Sequence, residues 1–184
     1  YTHYHSEQAL LVNLRGERFT DESLGDETSC QAVAREPEAL AFILYDETVY
    51  RTYAIRPAGG GARATDTFQE SKTLGAPAVQ ADTIEELVAG LETCGVYGAG
   101  VLGTVTEFNA AVTTGRTAQL RIPRRAKANA LVTPPFYALG LTPGITFTLG
   151  GLRIDANAQV LDRSHQPIPG LYAAGADAGG IHNE

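Results

Sequence analysis

Two kinds of hydrophobic pattern alternate along the chain. ALLVNL at residues 9–14, apolar but for Asn13, and AFILY at residues 41–45, an unbroken apolar run, are both of strand length. The second predicts a buried strand, closed by Asp46-Glu47 and followed by a short helix. Gly16 separates the first run from a resumption at Arg18-Phe19, which is a hairpin signal. Helical periodicity is clearest over residues 83–94. There Thr83 and Glu86 have capping-box spacing, Ile84, Leu87, Val88 and Leu91 recur on one face, and Gly95 ends the run. A second helix is predicted over residues 102–112, with Val105, Phe108 and Val112 inward and Thr113-Thr114-Gly115 as its end. A third, over about residues 28–35, follows the acidic segment 21–26 and stops before Pro37.

The remaining segments read as extended structure and loops. Residues 58–61 (AGGG) are a loop, and residues 117–135 are basic, then proline-bearing, and read as loop. Residues 136–140 are extended, and 145–155 form a strand that turns through Gly150-Gly151. Ala156-Asn157 is a turn, 159–161 a short strand, and 164–170 a loop with two prolines. Residues 171–174 (LYAA) read as a short buried strand that opens into Gly175-Ala176-Asp177-Ala178-Gly179-Gly180. The total is an α+β pattern, helices in the middle and strands at both ends, which implies that the ends come together.

Composition narrows the class. The 184 residues are 43% hydrophobic and 19% charged, which fits a folded chain of one domain or one and a part. A net charge of -7 argues against a nucleic-acid partner. The basic cluster Arg121, Arg124, Arg125 and Lys127 reads as a solvated loop rather than a phosphate track. No apolar run approaches the length of a membrane span, and the polar start is no signal peptide. Cys30 and Cys94 are far apart and in no metal spacing, so reduced thiols and a cytoplasmic location are expected, with no metal. The chain holds no methionine and begins with Tyr1, as a piece of a larger protein would.

Both ends carry longer motifs. ALLVNLRGERFTDES at residues 9–23 resembles the (I/L)VN-x-x-G-x-RF-x-(N/D)E signature of the fumarate reductase and succinate dehydrogenase flavoprotein superfamily. The second half matches it in order and spacing at Pro135-Phe136-Tyr137-Ala138, Pro143-Gly144, Thr148, Gly150-Gly151, Ile154-Asp155, Ala158 and Val160-Leu161-Asp162. The match continues from Pro167 to Gly175 and through Gly179-Gly180 and His182. The resemblance implies the capping (catalytic) domain of a two-domain FAD enzyme over residues 1–148, with a partial return into the FAD-binding domain over 149–184. The family's phosphate-binding G-x-G-x-x-G after the first strand is missing, so FAD is expected in the intact protein and absent from this piece. The expected partners are a small organic acid or ketone and the remaining FAD-binding half.

The same resemblance nominates site residues. Thr148, Gly150 and Gly151 lie where the family places its hinge beside substrate and flavin, although glycines there equally suit a tight turn. Gly175, Asp177, Gly179 and Gly180 would face the cofactor; Ala176 stands at the family's glutamate, and Asp177 either takes its part or shapes the turn. His182 matches a position near the flavin. Fumarate-reducing members carry a substrate-holding histidine at or near positions occupied here by Thr146 and Phe147. They also carry a catalytic arginine where ungapped alignment puts Asp26, and no arginine lies between Phe19 and Arg35. Asp26 is either a general base or a helix N-cap. Both departures remove positive charge that a dicarboxylate needs, so a substrate of another shape is expected. His3 and His5, flanking Tyr4, suit a proton relay or a plain surface. Tyr172 reads as core. Tyr4, Tyr45 and Tyr137 leave open a related flavoprotein that acts on a steroid-like ketone through tyrosine acids and bases. A rival from another class is a non-catalytic α+β binding module, which the ordered matches at both ends do not favour.

Overall fold

Pairing gathers distant pieces of the chain into one sheet. The computed structural model describes residues 3–57, 64–145 and 150–180. In chain order, β1 (Leu10–Asn13), α1 (Asp26–Val33), β2 (Ala41–Asp46) and α2 (Glu47–Val49) lead into a π-helical turn, Tyr50–Ala54. A hairpin of β3 (Ile55–Pro57) and β4 (Ala64–Asp66) follows, then α3 (Thr67–Thr73), β5 (Ala78–Ala81), α4 (Ile84–Thr93), α5 (Gly98–Thr113) and β6 (Phe136–Leu141). The last pair is β7 (Gln159–Leu161) and β8 (Pro167–Tyr172). Two compact units result, Tyr1–Pro143 and Gly144–Glu184. The boundary expected after residue 148 lies outside the described residues, as does the loop expected at 58–61.

The first unit is built on an antiparallel sheet of order β1-β2-β6-β5. Its apolar strands are explained by cover on both faces. Leu10, Val12, Phe42, Leu44, Phe136 and Ala138 join Leu87, Leu91, Val101, Val105 and Phe108 of α4 and α5 in one core. Leu11, Ile43, Tyr45, Tyr137 and Leu139 join Val49, Ala54 and Phe68 in the other. A sheet buried on both faces has no need of polar alternation, and all six residues of β2 are buried.

Local chemistry sets the ends of the elements. Thr83 Oγ1 accepts from the Glu86 amide at 3.1 Å, and Glu86 reaches back to the Asp82 amide, so α4 starts where its capping box predicts. α5 begins at Gly98, earlier than the expected 102, because Gly100 and Gly16 let two backbones touch. A Cβ at Gly16, whose φ is +71°, would lie 2.3 Å from Val101 N, and one at Gly100 would lie 2.1 Å from Arg15 O. The Gly16 turn is real, with Asn13 N bonded to Glu17 O, yet no strand follows at Arg18-Phe19. Arg18 is drawn instead into a buried ion network. α1 starts at Asp26 behind an N-cap Gly25, while Asp21 caps the 3-10 turn Glu22–Leu24 through its bond from Ser23 N.

That network corrects the solvated reading of the basic cluster. Arg124 is 1% exposed and Glu22 fully buried. Arg124 donates to Glu22 Oε2 at 2.6 Å and to the carbonyls of Glu7, Ala9, Ala126 and Lys127, using all five guanidinium hydrogens. Arg18 forks onto both Glu22 oxygens at 3.1 and 2.7 Å, donates to the Ile122 carbonyl, and lies 5.4 Å over the Phe108 ring. Glu22 Oε1 also accepts from Leu11 N at 3.0 Å.

In the second unit, Asp155 and Asp162 each hold a tight turn, accepting from the amides two and four residues on. Three expectations change here. Residues 150–155 contribute isolated bridges at Leu152 and Ile154 rather than a strand. The proline-bearing segment is strand β8 rather than loop. Leu171 and Tyr172 are exposed, Tyr172 by 60%, because β8 pairs on one edge and only Ala173 turns inward.

Removing one partner of a buried, fully bonded ion network leaves the others uncompensated. Glu22→Gln is therefore expected to cost about 3–5 kcal/mol in urea or thermal unfolding of the chain. A loss below about 1 kcal/mol, the level of a surface pair, would contradict the assigned role.

Candidate functional site

In the second unit the structure brings together two glycine segments that lie apart in sequence. Leu152 N donates to Asp177 O at 2.8 Å and Gly179 N to Leu152 O at 2.9 Å, which makes a parallel bridge from Leu152 to Ala178. The approach is too close for side chains. A Cβ at Gly151 would sit 2.6 Å from both Asp177 O and Gly179 N, and one at Gly179 would sit 2.9 Å from Gly151 N and O. Gly175 and Gly180 have φ of +66° and +86°, a region that glycine enters without penalty. The positions where a Cβ would stand on Gly150 and Gly175 meet no atom within 4 Å among the described residues. Backbone without side chains is a surface that a flat ligand can approach closely. Asp177 is exposed, with its carboxylate free to reach a polar group on such a ligand.

In the first unit the titratable groups form an aromatic stack. Tyr45 pairs with Tyr137 across β2 and β6, their rings 5.5 Å apart and nearly parallel. Tyr50, from the π-helical turn, stacks on Tyr137 at 4.4 Å, and Phe68 meets Tyr137 edge-on at 5.1 Å. Tyr137 donates to Glu47 Oε2 at 2.6 Å, and Tyr50 donates to Asp66 Oδ2. Asp46, buried, bonds the Val49, Val132 and Thr133 amides and so fixes the segment that carries Glu47 and Tyr50. Burial raises all three tyrosines, helped by the Asp66 bond at Tyr50 and the Glu47 bond at Tyr137, so each stays a neutral proton donor. The Tyr45 hydroxyl has no hydrogen-bond partner among the described residues. His5 stands edge-on to Tyr45 at 4.9 Å, and His3 edge-on to His5 at 5.4 Å. Burial is the main reason that His3 is pushed down to about 4.

Of the residues that the sequence nominated, Gly151, Asp177 and Gly179 share the glycine junction, with Gly150, Gly175 and Gly180 on its flanks. Thr146, Phe147, Thr148 and His182 lie outside the described residues. Asp26 is the first residue of α1, where a carboxylate favours the positive helix end without capping it. Tyr45 and Tyr137 are stacked, while Tyr4 is 63% exposed. Sequence reasoning missed Tyr50, Glu47 and Asp66. Their only sequence signal was two carboxylates, one on each side of a tyrosine-rich segment. Among the described residues no group of His, Cys, Asp and Glu is placed to hold a metal, and no helix is long and apolar enough to cross a membrane.

Comparison with known proteins extends this picture. A family model described as FAD binding domain matches residues 2–183. The chain is 29% identical over 174 residues to a protein named probable fumarate reductase from Shewanella frigidimarina, covering 95% of this chain and 26% of that one. It is 32% identical over 176 residues to an NADH:acrylate oxidoreductase from Vibrio harveyi, covering 96% of this chain and 16% of that one. The crystal structure of a 3-ketosteroid-Δ4-(5α)-dehydrogenase from Rhodococcus jostii RHA1 superposes with a TM-score of 0.59 at 29% identity, over 96% of this chain and 34% of that one. The chain thus spans about a quarter or less of the two curated relatives.

Two outcomes test this geometry. Gly151→Ala forces a methyl group onto backbone atoms, so it is expected to open the junction and speed proteolysis after residue 144, while the first unit stays intact. Faster cleavage in both units would show that the contact is not local. The second outcome concerns pH. Because His3 is held below its free value of 6.5, the unfolded chain binds the extra proton between 6.5 and about 4. Stability is fully present above that window and falls as pH drops through it. His3→Phe is expected to flatten the decline of Tm across the window, and an unchanged slope would exclude this imidazole as a cause.

Proposed function

Because the chain belongs to the FAD binding domain family of fumarate reductase and succinate dehydrogenase flavoproteins, we infer that the intact protein exchanges a hydride between FAD and a carbon next to a carbonyl or carboxylate. The observation that carries this reading is the glycine junction, set within a chain matched to that family over residues 2–183. Gly150, Gly151, Gly175, Asp177, Gly179 and Gly180 fit one edge of the cofactor. Bare backbone and positive-φ glycines leave room for a flat ring system. FAD, when bound, supplies the hydride chemistry. No G-x-G-x-x-G follows a strand in this chain: the match at Gly98–Gly103 comes after helix α4, with Gly100 packed against the Arg15 carbonyl, so cradling the phosphates falls to the rest of the intact protein.

The cap's own part is the proton. Tyr50 and Tyr137 are held protonated, and each is bonded to a carboxylate. A tyrosine that gives its proton to substrate is reprotonated from solvent, the carboxylate taking a proton from water and passing it along that bond. The charge around them is negative, from Glu47 and Asp66, with Arg51 the neighbouring cation and already bonded to Glu47. A dianion is disfavoured there, whereas a monoanionic enoate or a neutral enone is accommodated. The neutral enone is the second reading, and the tyrosine donors favour it. The cap would also exclude water from the reacting carbon.

The test uses the intact, FAD-loaded protein with chemically reduced flavin. Fumarate, acrylate, urocanate and a 3-ketosteroid are offered in turn, and flavin reoxidation is followed. A monoanion or neutral enone is expected to give the higher kcat/KM; fumarate as the best acceptor would overturn the substrate assignment. Tyr50→Phe is expected to lower kcat by about 10²–10⁴ with little change in KM, as for loss of a general acid. The 184-residue chain by itself is expected to purify without bound flavin, which its visible absorbance checks.

A further inference from the structure

Five rings run in contact through the first unit. The centroid steps are His3 to His5 at 5.4 Å, His5 to Tyr45 at 4.9 Å, Tyr45 to Tyr137 at 5.5 Å and Tyr137 to Tyr50 at 4.4 Å. The two tyrosines at one end differ chemically from the one in the middle. Tyr137 and Tyr50 donate their hydroxyl hydrogens to Glu47 and Asp66, whereas the buried Tyr45 hydroxyl has no acceptor among the described residues.

A phenol that loses an electron becomes a very strong acid. It persists as a neutral radical only where a base already stands at the hydroxyl hydrogen. We propose that Tyr50 and Tyr137 form a redox-active tyrosine pair, the resting place of a one-electron hole. The oxidant is an external one-electron acceptor, such as the azidyl radical or an excited flavin. Tyr50 gives it one electron, and the hydroxyl proton moves along the existing bond to the Asp66 carboxylate. A neutral phenoxyl radical then stands beside a carboxylic acid. A one-electron donor such as ascorbate or a thiol returns the electron, and Asp66 returns the proton. Tyr137 performs the same exchange with Glu47. Tyr45 lacks an acceptor, so it relays the hole without keeping it.

The geometry favours Tyr50 as the terminus. It stacks on Tyr137 at the shortest ring spacing in the chain and is half-buried, which limits radical coupling with solvent species. Burial and the two carboxylates keep both hydroxyls protonated at rest, so the proton is in place when the electron leaves. The inference does not depend on FAD or on the proposed substrate. Failure of either leaves it standing, and its own failure leaves the hydride reading untouched.

The experiment treats the 184-residue chain with radiolytically generated azidyl radicals, freezes it at intervals, and follows the tyrosyl radical by electron paramagnetic resonance with ring-deuterated tyrosine as a control. Exposed Tyr4, Tyr97 and Tyr172 react first. The wild-type chain is expected to settle into a long-lived radical. Tyr50→Phe, which keeps the ring, is expected to shorten its lifetime by an order of magnitude. Asp66→Asn keeps the cap on α3, because an asparagine oxygen accepts from Gln69 N as well, but removes the base. It is expected to shorten the lifetime several-fold. Tyr97→Phe is expected to change nothing. Equal lifetimes in the wild type, Tyr50→Phe and Asp66→Asn overturn the proposal, and so does a loss confined to Tyr97→Phe. Circular dichroism confirms the fold of each variant, and Asp66→Asn decides the matter if Tyr50→Phe does not fold.

Discussion

The Glu22 carboxylate between Arg18 and Arg124 is the constraint on which the first unit depends. Among the described residues β1 is an edge strand, and its outward backbone groups have no strand to pair with. The network takes that place: Arg124 caps the Ala9 carbonyl, Glu22 caps the Leu11 amide, and the Gly16 turn closes Asn13. The same guanidinium gathers the carbonyls of Glu7, Ala126 and Lys127, so segments without regular structure are fixed to the sheet. Each oxygen of Glu22 accepts twice, which offsets the cost of burying the charge.

With the edge closed, the sheet can be apolar on both faces, and the two faces serve different ends. The α4 and α5 face is a packing surface of aliphatic residues and phenylalanine. The opposite face mixes aliphatic residues with tyrosines whose hydroxyls reach carboxylates at its rim. That division places proton-bearing chemistry on a rigid support. The register pair Tyr45–Tyr137 sets the ring spacing, and Asp46 anchors the turn that brings Tyr50 over it.

The parts of the fold legible in sequence were those with local causes. The cap and stripe of α4, the apolar run of β2 and the extended segments of β6 and β7 each follow from residues within one element. The resemblance singled out both glycine segments but not their contact, since Gly151 and Gly179 say nothing separately about it. Arg124 was not legible, because the basic residues beside it are exposed and its partners lie as many as 117 residues away. Gly98, Gly100 and Gly103 disguised the start of α5, since glycine reads as a breaker unless the backbone it admits is known. β5 has the weak pattern AVQA and is strand only because β6 offers an edge. The tyrosine stack needs a strand register and a π-helical turn, neither of which propensity encodes.

The Ala9–Arg124 bond spans 115 residues of chain. During synthesis, β1 and β2 leave the ribosome long before the side chain that seals their outer edge. Over that interval local contacts can cover the Leu11 amide and Asn13, but the Ala9 carbonyl and one side of the Glu22 carboxylate wait for Arg124. The order of synthesis therefore leaves the outer edge of β1 incomplete until one arginine in a late loop arrives, shortly before β6 closes the other edge of β2.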